Sequence, residues 1–154
     1  MPDTLAFEDF PTGEVVEYGG VEVSADEIVE FAREFDPQPF HLDHEAARPA
    51  TGGLIASGWQ TAALLMRMNC DAFLIRARVV DDSGIEEIRW QRPVRPGDRL
   101  HVRRRTLAGR SRDHLTGEVE FLYEIVDQDG LVAMTQRSLV VFERRHESGG
   151  DRAD

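Results

Sequence analysis

The chain has 154 residues, of which 41% are hydrophobic and 31% charged, enough for one globular domain with a substantial core. Its formal net charge of -11 argues against nucleic-acid binding, which depends on neutralising many phosphates. The N-terminus lacks the features of a secretion signal, no apolar run is long enough to cross a bilayer, and the lone Cys70 cannot form an intrachain disulfide. We therefore expect a cytoplasmic protein that binds neither nucleic acid nor a membrane.

The first elements along the chain are predicted to be a strand and an amphipathic helix. Residues 15–23 have the valine-rich composition of an extended segment. Ser24 and Glu27 have the spacing of a capping box, and apolar side chains then recur at helical intervals as far as the break at Pro37. A helix is therefore predicted between Ser24 and Pro37.

Prolines define the next segment. Pro37 and Pro39 both oppose helix formation and bias the residues before them toward extended geometry. We therefore predict that residues 36–42 form a stiff, non-repetitive loop, followed by one helical turn over residues 43–47. Pro49 is expected to open a second loop.

A second helix is predicted over residues 57–69, where apolar side chains cover nearly the whole circumference, so that the helix must be enclosed. Its large side chains, expected in the core, are Trp59, Leu65, Met66 and Met68. Strand-like segments separated by turn residues follow at 85–90, 99–107, 115–126 and 131–142, with turns at 95–98, 108–113 and 127–130. The set predicts an α+β hot-dog fold, a curved antiparallel sheet wrapped around a central apolar helix. We expect one domain over residues 1–143 and a mobile polar tail over residues 144–154.

The positive charges are distributed unevenly. All eighteen are arginines, and nine of them lie between Arg89 and Arg112, where Asp98 is the only acid. Because a planar guanidinium suits phosphate oxygens, this segment could hold a phosphorylated ligand. A solvated strand face explains the composition equally well.

The proline-stiffened loop has the clearest chemical signature. Asp36 and His41 place a carboxylate and an imidazole five residues apart, directly after a helix. Hydration of an alkene conjugated with a thioester needs a base for the water, an acid for the carbon next to the carbonyl, and donors for the enolate oxygen. Asp36 and His41 can supply the first two. Unpaired N–H groups at the helix start, Ser57-Gly58, can supply the third, and glycine lets a ligand approach the backbone closely.

Several motifs stand in order along the chain. They are Asp36-x-x-Pro39-x-His41-x-Asp43, then Ala46 and Ala47, the run from Gly52 to Gly58, and Arg92-Pro93-Val94-Arg95-Pro96-Gly97-Asp98. Together they resemble the motifs of the MaoC-like hydratases and dehydratases, which include the R-specific enoyl-coenzyme A hydratases. The resemblance covers roughly residues 7–143. It implies a hot-dog fold, a coenzyme A thioester as substrate, no metal or redox cofactor, and a homodimer or higher homo-oligomer.

The resemblance also implies roles for particular residues. Asp36 and His41 would be the catalytic pair that positions one water, with Asp36 as base and His41 relaying the proton, and the Gly58 amide would polarise the thioester carbonyl. The expected substrate-binding residues are Gln38, Pro39, Ser57, Trp59, Arg92 and Arg95, of which the two arginines would meet coenzyme A phosphates. A helix N-cap for Ser57 and a surface position for each arginine are open alternatives. Asp43 is expected to cap the turn that follows it. The other histidines, expected on the surface or in strands, are His44, His101, His114 and His146.

Three positions depart from the commonest pattern of that family. Phe35 stands where glycine usually precedes the aspartate, Gln38 where asparagine is usual, and Ser57 where histidine usually precedes the glycine. No proton-transfer group is lost. The departures leave the orientation of the substrate and the choice of acyl chain undetermined.

Three other interpretations stay open. His41-x-Asp43, with His101 or His114, has the local form of an iron site made of two histidines and one carboxylate. Thioester hydrolysis is the second, because hot-dog folds also host thioesterases, which use a carboxylate on or beside the central helix. The first acid of that helix here is Asp71, at its far end. The third is a non-catalytic subunit that binds acyl thioesters.

Overall fold

The computed structural model describes residues 4–146, and its centre is a five-stranded antiparallel sheet. The strands are β1 (Val15–Glu22), β2 (Val79–Trp90), β3 (Arg99–Ser111), β4 (Thr116–Val126) and β5 (Val132–Glu143). Their order across the sheet is β1-β3-β4-β5-β2, so β1 and β2 form the two edges. All four neighbouring pairs run antiparallel, as the turn residues between the strands predicted.

The helices precede β2 in the chain. They are α1 (Ala25–Phe35), α2 (Pro39–Leu42), α3 (His44–Thr51) and α4 (Gly58–Ala72), with short 3-10 turns at Phe7–Asp9 and Leu74–Arg76. Helix α4 contributes Leu65 and Met68 to the same core cluster as the inward-facing residues of the sheet. This is the predicted hot-dog arrangement. Within residues 4–146, no helix combines the length and the apolar character needed to span a membrane.

The alternation of side chains along β4 fixes which face of the sheet is buried. Val119, Phe121 and Ile125 are fully buried, whereas Glu118 and Glu120 on either side of Val119 are partly exposed. Apolar residues two positions apart lie on one face of a strand, and this face packs on the core. The predicted alternation of side chains along this strand is therefore confirmed, as is its position.

Two strands are longer than the sequence predicted. The turn expected at residues 108–113 is wrong, because β3 continues to Ser111, where it pairs with Gly117 of β4. Strand β2 begins at Val79, six residues before the predicted start, although Asp81 to Gly84 have the composition of a turn. Pairing with β5, with several register shifts, supplies the hydrogen bonds that override this local preference.

The predicted loop and turn between the two main helices are more helical than expected. Pro39 is the first residue of α2, a position where proline is well tolerated because its missing N–H has no partner there anyway. Helix α3 continues past Pro49 to Thr51 and ends at Gly52, which has a left-handed φ of 77°. The predictions of a wholly non-repetitive loop at 36–42 and of a new loop at Pro49 are therefore wrong.

Helix α4 is only partly enclosed. Leu65 and Met68 are buried as predicted, but the side chains of Trp59 and Met66 are 59% and 44% exposed. The prediction that all four lie in the core is wrong for the isolated chain, since the sheet covers one side of the helix only.

Ion pairs occupy much of the arginine-rich segment. On β3, Arg99 pairs with Glu22, Arg103 with Glu124 and Arg110 with Glu120. A fourth, Arg104, is 6% exposed, pairs with Glu14 and stacks over the ring of Phe73. Each of these four arginines lies beside an acid, which offsets part of the positive charge that a phosphate would meet.

The C-terminal segment begins with fixed residues. Arg144 contacts Glu8 and Arg145 contacts Asp9 through their guanidinium groups, so the first residues of the predicted mobile tail are held against the N-terminal turn. Residues 147–154, the rest of that predicted tail, lie outside the described residues.

Candidate active site

Asp36 and His41 meet at the junction of the two short elements that carry them. Asp36 is the residue at which α1 ends, His41 lies on α2, and their Oδ2 and Nε2 atoms are 3.2 Å apart. The other ring nitrogen of His41, Nδ1, is 2.7 Å from the carbonyl oxygen of Ile55. A carbonyl only accepts hydrogen bonds, so Nδ1 carries a proton and Nε2 is the atom free to gain or lose one.

Hydrogen-bond donors surround the Asp36 carboxylate. The Gln38 side-chain amide donates to Oδ1 at 2.6 Å and the Ser57 hydroxyl donates to Oδ2 at 2.7 Å. The pKa of Asp36 is lowered, first because of the Gln38 hydrogen bond and further because of Ser57 and the neighbouring His41 ring, while partial burial opposes the shift. Asp36 is therefore ionised across the neutral range. Two of the three departures from the family pattern, Gln38 and Ser57, are the residues that hold it.

Gly58 begins α4 beside this pair. Its amide has no hydrogen-bond acceptor within residues 4–146, as expected for the first N–H of a helix, where the helix dipole favours negative charge. The structure gives a different reason for the glycine from the one predicted. A Cβ placed on Gly58 would lie 2.6 Å from the Trp90 ring, so it is a neighbouring side chain that approaches the backbone closely.

These groups open into one cleft of about 410 Å³. Asp36, His41 and Gly58 line it together with Gln38, Trp59, Trp90 and Arg92. Trp59 and Trp90 pack edge to face, with ring centroids 5.3 Å apart, and both are half exposed. The cleft thus combines a carboxylate–imidazole pair, an unpaired amide donor and an apolar wall.

Three predicted substrate-binding residues do not line the cleft. Pro39 is taken up at the start of α2, and Ser57 is fully buried, capping α4 by accepting from the Trp59 amide. Arg95 donates to the carbonyl of Thr51 at the end of α3, where unpaired carbonyls attract a cation. Gln38, Trp59 and Arg92 do lie at the cleft, and their roles stay predictions.

Three functional-site residues were missed. Ile55 fixes the His41 tautomer through its backbone carbonyl, which every residue has, so the sequence could not have identified it. Trp90 ends β2, 32 residues beyond the glycine it covers, and only the fold brings the two together. His44, predicted on the surface, is exposed, but its Nδ1 accepts from the Leu54 amide and so holds the loop that carries Ile55.

The competing sites are not assembled. Asp43 caps α3, accepting from the Ala46 amide, while His101 on β3 faces Glu17. Among the described residues, no group of three or more His, Cys, Asp or Glu side chains is placed to hold a metal. On the central helix, Asp71 pairs with Arg67 at the exposed far end, away from the cleft.

Comparison with known families gives a match over most of the chain. The family model described as MaoC like domain matches residues 8–127. The crystal structure of the MaoC-like dehydratase from Rhodospirillum rubrum superposes with a TM-score of 0.86 at 40% sequence identity, covering 93% of this chain and 99% of that one. Residues 8–127 include every residue that lines the cleft and strands β1 to β4.

Two curated relatives are more distant. The uncharacterized protein YdeM of Bacillus subtilis is 32% identical over 97 residues, which cover 62% of this chain and 69% of YdeM. The 3-hydroxyacyl-[acyl-carrier-protein] dehydratase FabZ of Anaeromyxobacter dehalogenans is 28% identical over 105 residues, covering 60% of this chain and 67% of FabZ.

Proposed function

This chain belongs to the MaoC-like family, and from that membership and the geometry of its cleft we propose that it adds water reversibly to a 2-enoyl thioester of coenzyme A. The reverse reaction dehydrates the 3-hydroxyacyl thioester. The observation that supports the proposal best is the 3.2 Å contact between Asp36 and His41 beside the unpaired Gly58 amide in a single cleft. No redox or metal step enters this reaction.

The proposed reaction begins with a water bound between the two proton-transfer groups. The Asp36–His41 pair takes a proton from this water as its oxygen bonds to C3 of the substrate. The electrons of the double bond move toward the thioester carbonyl, and a proton from the pair then reaches C2. Only Nε2 of His41 can take part, because Nδ1 stays bound to the Ile55 carbonyl. In the proposal the two groups exchange protons across their 3.2 Å contact, so proton transfer to and from the substrate is assigned to the pair. Asp36 is the base, and it is ionised before the reaction begins.

The enolate oxygen requires stabilisation while the charge is on it. In the proposal the Gly58 amide donates to that oxygen, assisted by the positive end of the α4 dipole. Arg92 is the proposed contact for coenzyme A phosphates, because its side chain lines the cleft, whereas Arg95 is committed to Thr51. Trp59 and Trp90 offer apolar surface to the acyl thioester.

We also propose that the protein acts as a homodimer. Edge strand β2 exposes Val80 and Ile85 at 52% and 54%, and Trp90 at its end is 45% exposed. An edge strand with exposed apolar side chains and unpaired backbone groups invites another strand, and a second copy of the same strand is the simplest partner.

The proposal is tested by following the loss of enoyl absorbance when the purified protein meets short and branched 2-enoyl-coenzyme A thioesters. We expect turnover in the wild type and a fall in kcat of about 100-fold or more in Asp36→Asn and His41→Ala, because each removes a proton-transfer group. Asp43→Asn is the matched control. It makes the same chemical change two residues from His41, preserves the helix cap, and should retain wild-type turnover.

Three results would contradict the proposal. Wild-type rates in both Asp36→Asn and His41→Ala would remove the assigned roles. Release of free thiol without loss of the double bond would indicate hydrolysis, and tight binding of an enoyl thioester without turnover would indicate a binding subunit.

A further inference from the structure

We propose that Trp90 is a positioning residue, which holds the Gly58 amide in the direction needed to bind the enolate oxygen. This inference rests on the proposed function. Its basis is a contact between the last residue of edge strand β2 and the first residue of α4. The Trp90 indole N–H donates to the Gly58 carbonyl oxygen at 2.9 Å, and the same ring covers the Gly58 Cα.

The close packing explains why glycine is needed at position 58. The backbone conformation does not require it, since Gly58 is not among the residues with positive φ. Its Cβ, if present, would lie 2.6 Å from both Nε1 and Cε2 of Trp90, well inside contact distance. The indole therefore fits only against a bare Cα, and the two residues form one unit.

Two side-chain contacts flank the Ser57–Gly58 peptide unit that carries the donor. On one side the Ser57 hydroxyl donates to Asp36, and on the other Trp90 donates to the carbonyl of the next peptide unit, that of Gly58. The helix holds the donor's own peptide unit through the Ser57 carbonyl, which accepts from the Gln60 and Thr61 amides, but the Gly58 N–H has no partner within the helix. The two side-chain contacts add to this hold and orient the amide relative to the Asp36 carboxylate, and small displacements of a donor cost rate.

Trp90 is held both at its backbone and at its ring. Its backbone pairs with Met134 in the sheet, and the Trp59 ring packs edge to face against its indole at an interplanar angle of 77°. Through Trp90, strand β2 therefore anchors the start of α4 to the sheet.

The test compares Trp90→Phe with Trp59→Phe in steady-state kinetics. Both variants replace an indole by a phenyl ring in the same cleft, but only the Trp90 N–H has a hydrogen bond within residues 4–146. We expect Trp90→Phe to lower kcat about tenfold with little change in KM, less than the hundredfold or more caused by direct removal of an oxyanion donor. Trp59→Phe should act mainly on KM. A Trp90→Phe enzyme with kcat within twofold of wild type, or an equal fall in kcat for Trp59→Phe, overturns the inference.

A second measurement does not depend on turnover. Amide hydrogen exchange at Trp59, which donates to Ser57 Oγ, and at Gln60, which donates to the Ser57 carbonyl, should be several-fold faster in Trp90→Phe than in wild type or Trp59→Phe, because the first turn of α4 loses an anchor. Unchanged exchange would refute the positioning role even if no enoyl thioester proves to be a substrate.

The close packing of Gly58 and Trp90 can be tested by thermal unfolding. Gly58→Ala should lower Tm in the wild-type background, because its Cβ meets the Trp90 ring, and should lower it less when Trp90 is also replaced by alanine.

Discussion

At the scale of single residues, the site is organised around the ionised state of one carboxylate. Asp36 accepts hydrogen bonds from Gln38 and Ser57 and lies 3.2 Å from His41 Nε2. Donors stabilise the charged form, which lowers the pKa of Asp36. A lowered pKa keeps the proposed base ionised in mild acid but makes it a weaker base, which is why the proposal assigns the proton transfer to Asp36 and His41 together.

The first prediction concerns the acid limit of activity. In Ser57→Ala, Asp36 loses a donor to its charged form, so its pKa rises toward the ordinary value of about 3.9. The acid limb of kcat/KM, which reflects protonation of the base, should then move to higher pH. Gln38→Leu should move it in the same direction and further, since Gln38 is the larger cause of the shift. Rates from neutral pH down to the lowest pH at which circular dichroism shows a folded protein measure the change, and a stationary limb in both variants would contradict it.

At the scale of elements, helices and their caps place the side chains of the proposed proton-transfer pair. Ser24 caps α1 by accepting from the Glu27 amide, and Asp43 caps α3 by accepting from the Ala46 amide. Both caps were predicted from sequence. Asp43 is at once the C-cap of α2 and the N-cap of α3. Its hydrogen bond therefore also fixes the end of α2, the four-residue helix that carries His41.

The second prediction separates capping from chemistry at Asp43. Asp43→Ala should lower the free energy of unfolding by about 1 kcal/mol, because the cap of α3 is lost, while Asp43→Asn should lower it much less. Urea denaturation measures the difference. If Asp43→Ala instead abolished activity at full stability, the carboxylate would have a chemical role and the iron-site interpretation would return.

At the scale of the whole molecule, the chain leaves apolar surface on one side uncovered. Trp59 and Met66 of α4 and Ile75 after it are exposed, together with the outer residues of β2. Exposed apolar patches of this kind mark association surfaces. The prediction of an enclosed helix was wrong for one chain, and in the proposed dimer the second copy provides the missing cover.

The third prediction tests that dimer. Ile85→Glu places a charge on the exposed edge of β2 and should shift the protein from dimer to monomer in sedimentation or light scattering, with the secondary structure retained. Leu131→Glu is the matched control, as Leu131 is similarly exposed at 41% but precedes β5 in a turn. A wild-type monomer, or equal dissociation by both variants, would contradict the assignment of β2 as the interface.

The sequence by itself determined the two main helices, the presence of the five strands, the fold class and the pair Asp36 and His41, because these depend on local periodicity, capping residues and short motifs. The limits of the strands were harder to predict. Pairing with β4 extends β3, and pairing with β5 extends β2, through residues whose composition is typical of turns. Only the tertiary structure decided that Ser57 holds Asp36, that the Ile55 carbonyl sets the His41 tautomer, and that Trp90 covers Gly58. Each of these contacts joins residues far apart in the chain. Such contacts leave no local pattern in the sequence, because they form only when tertiary packing brings the two partners together.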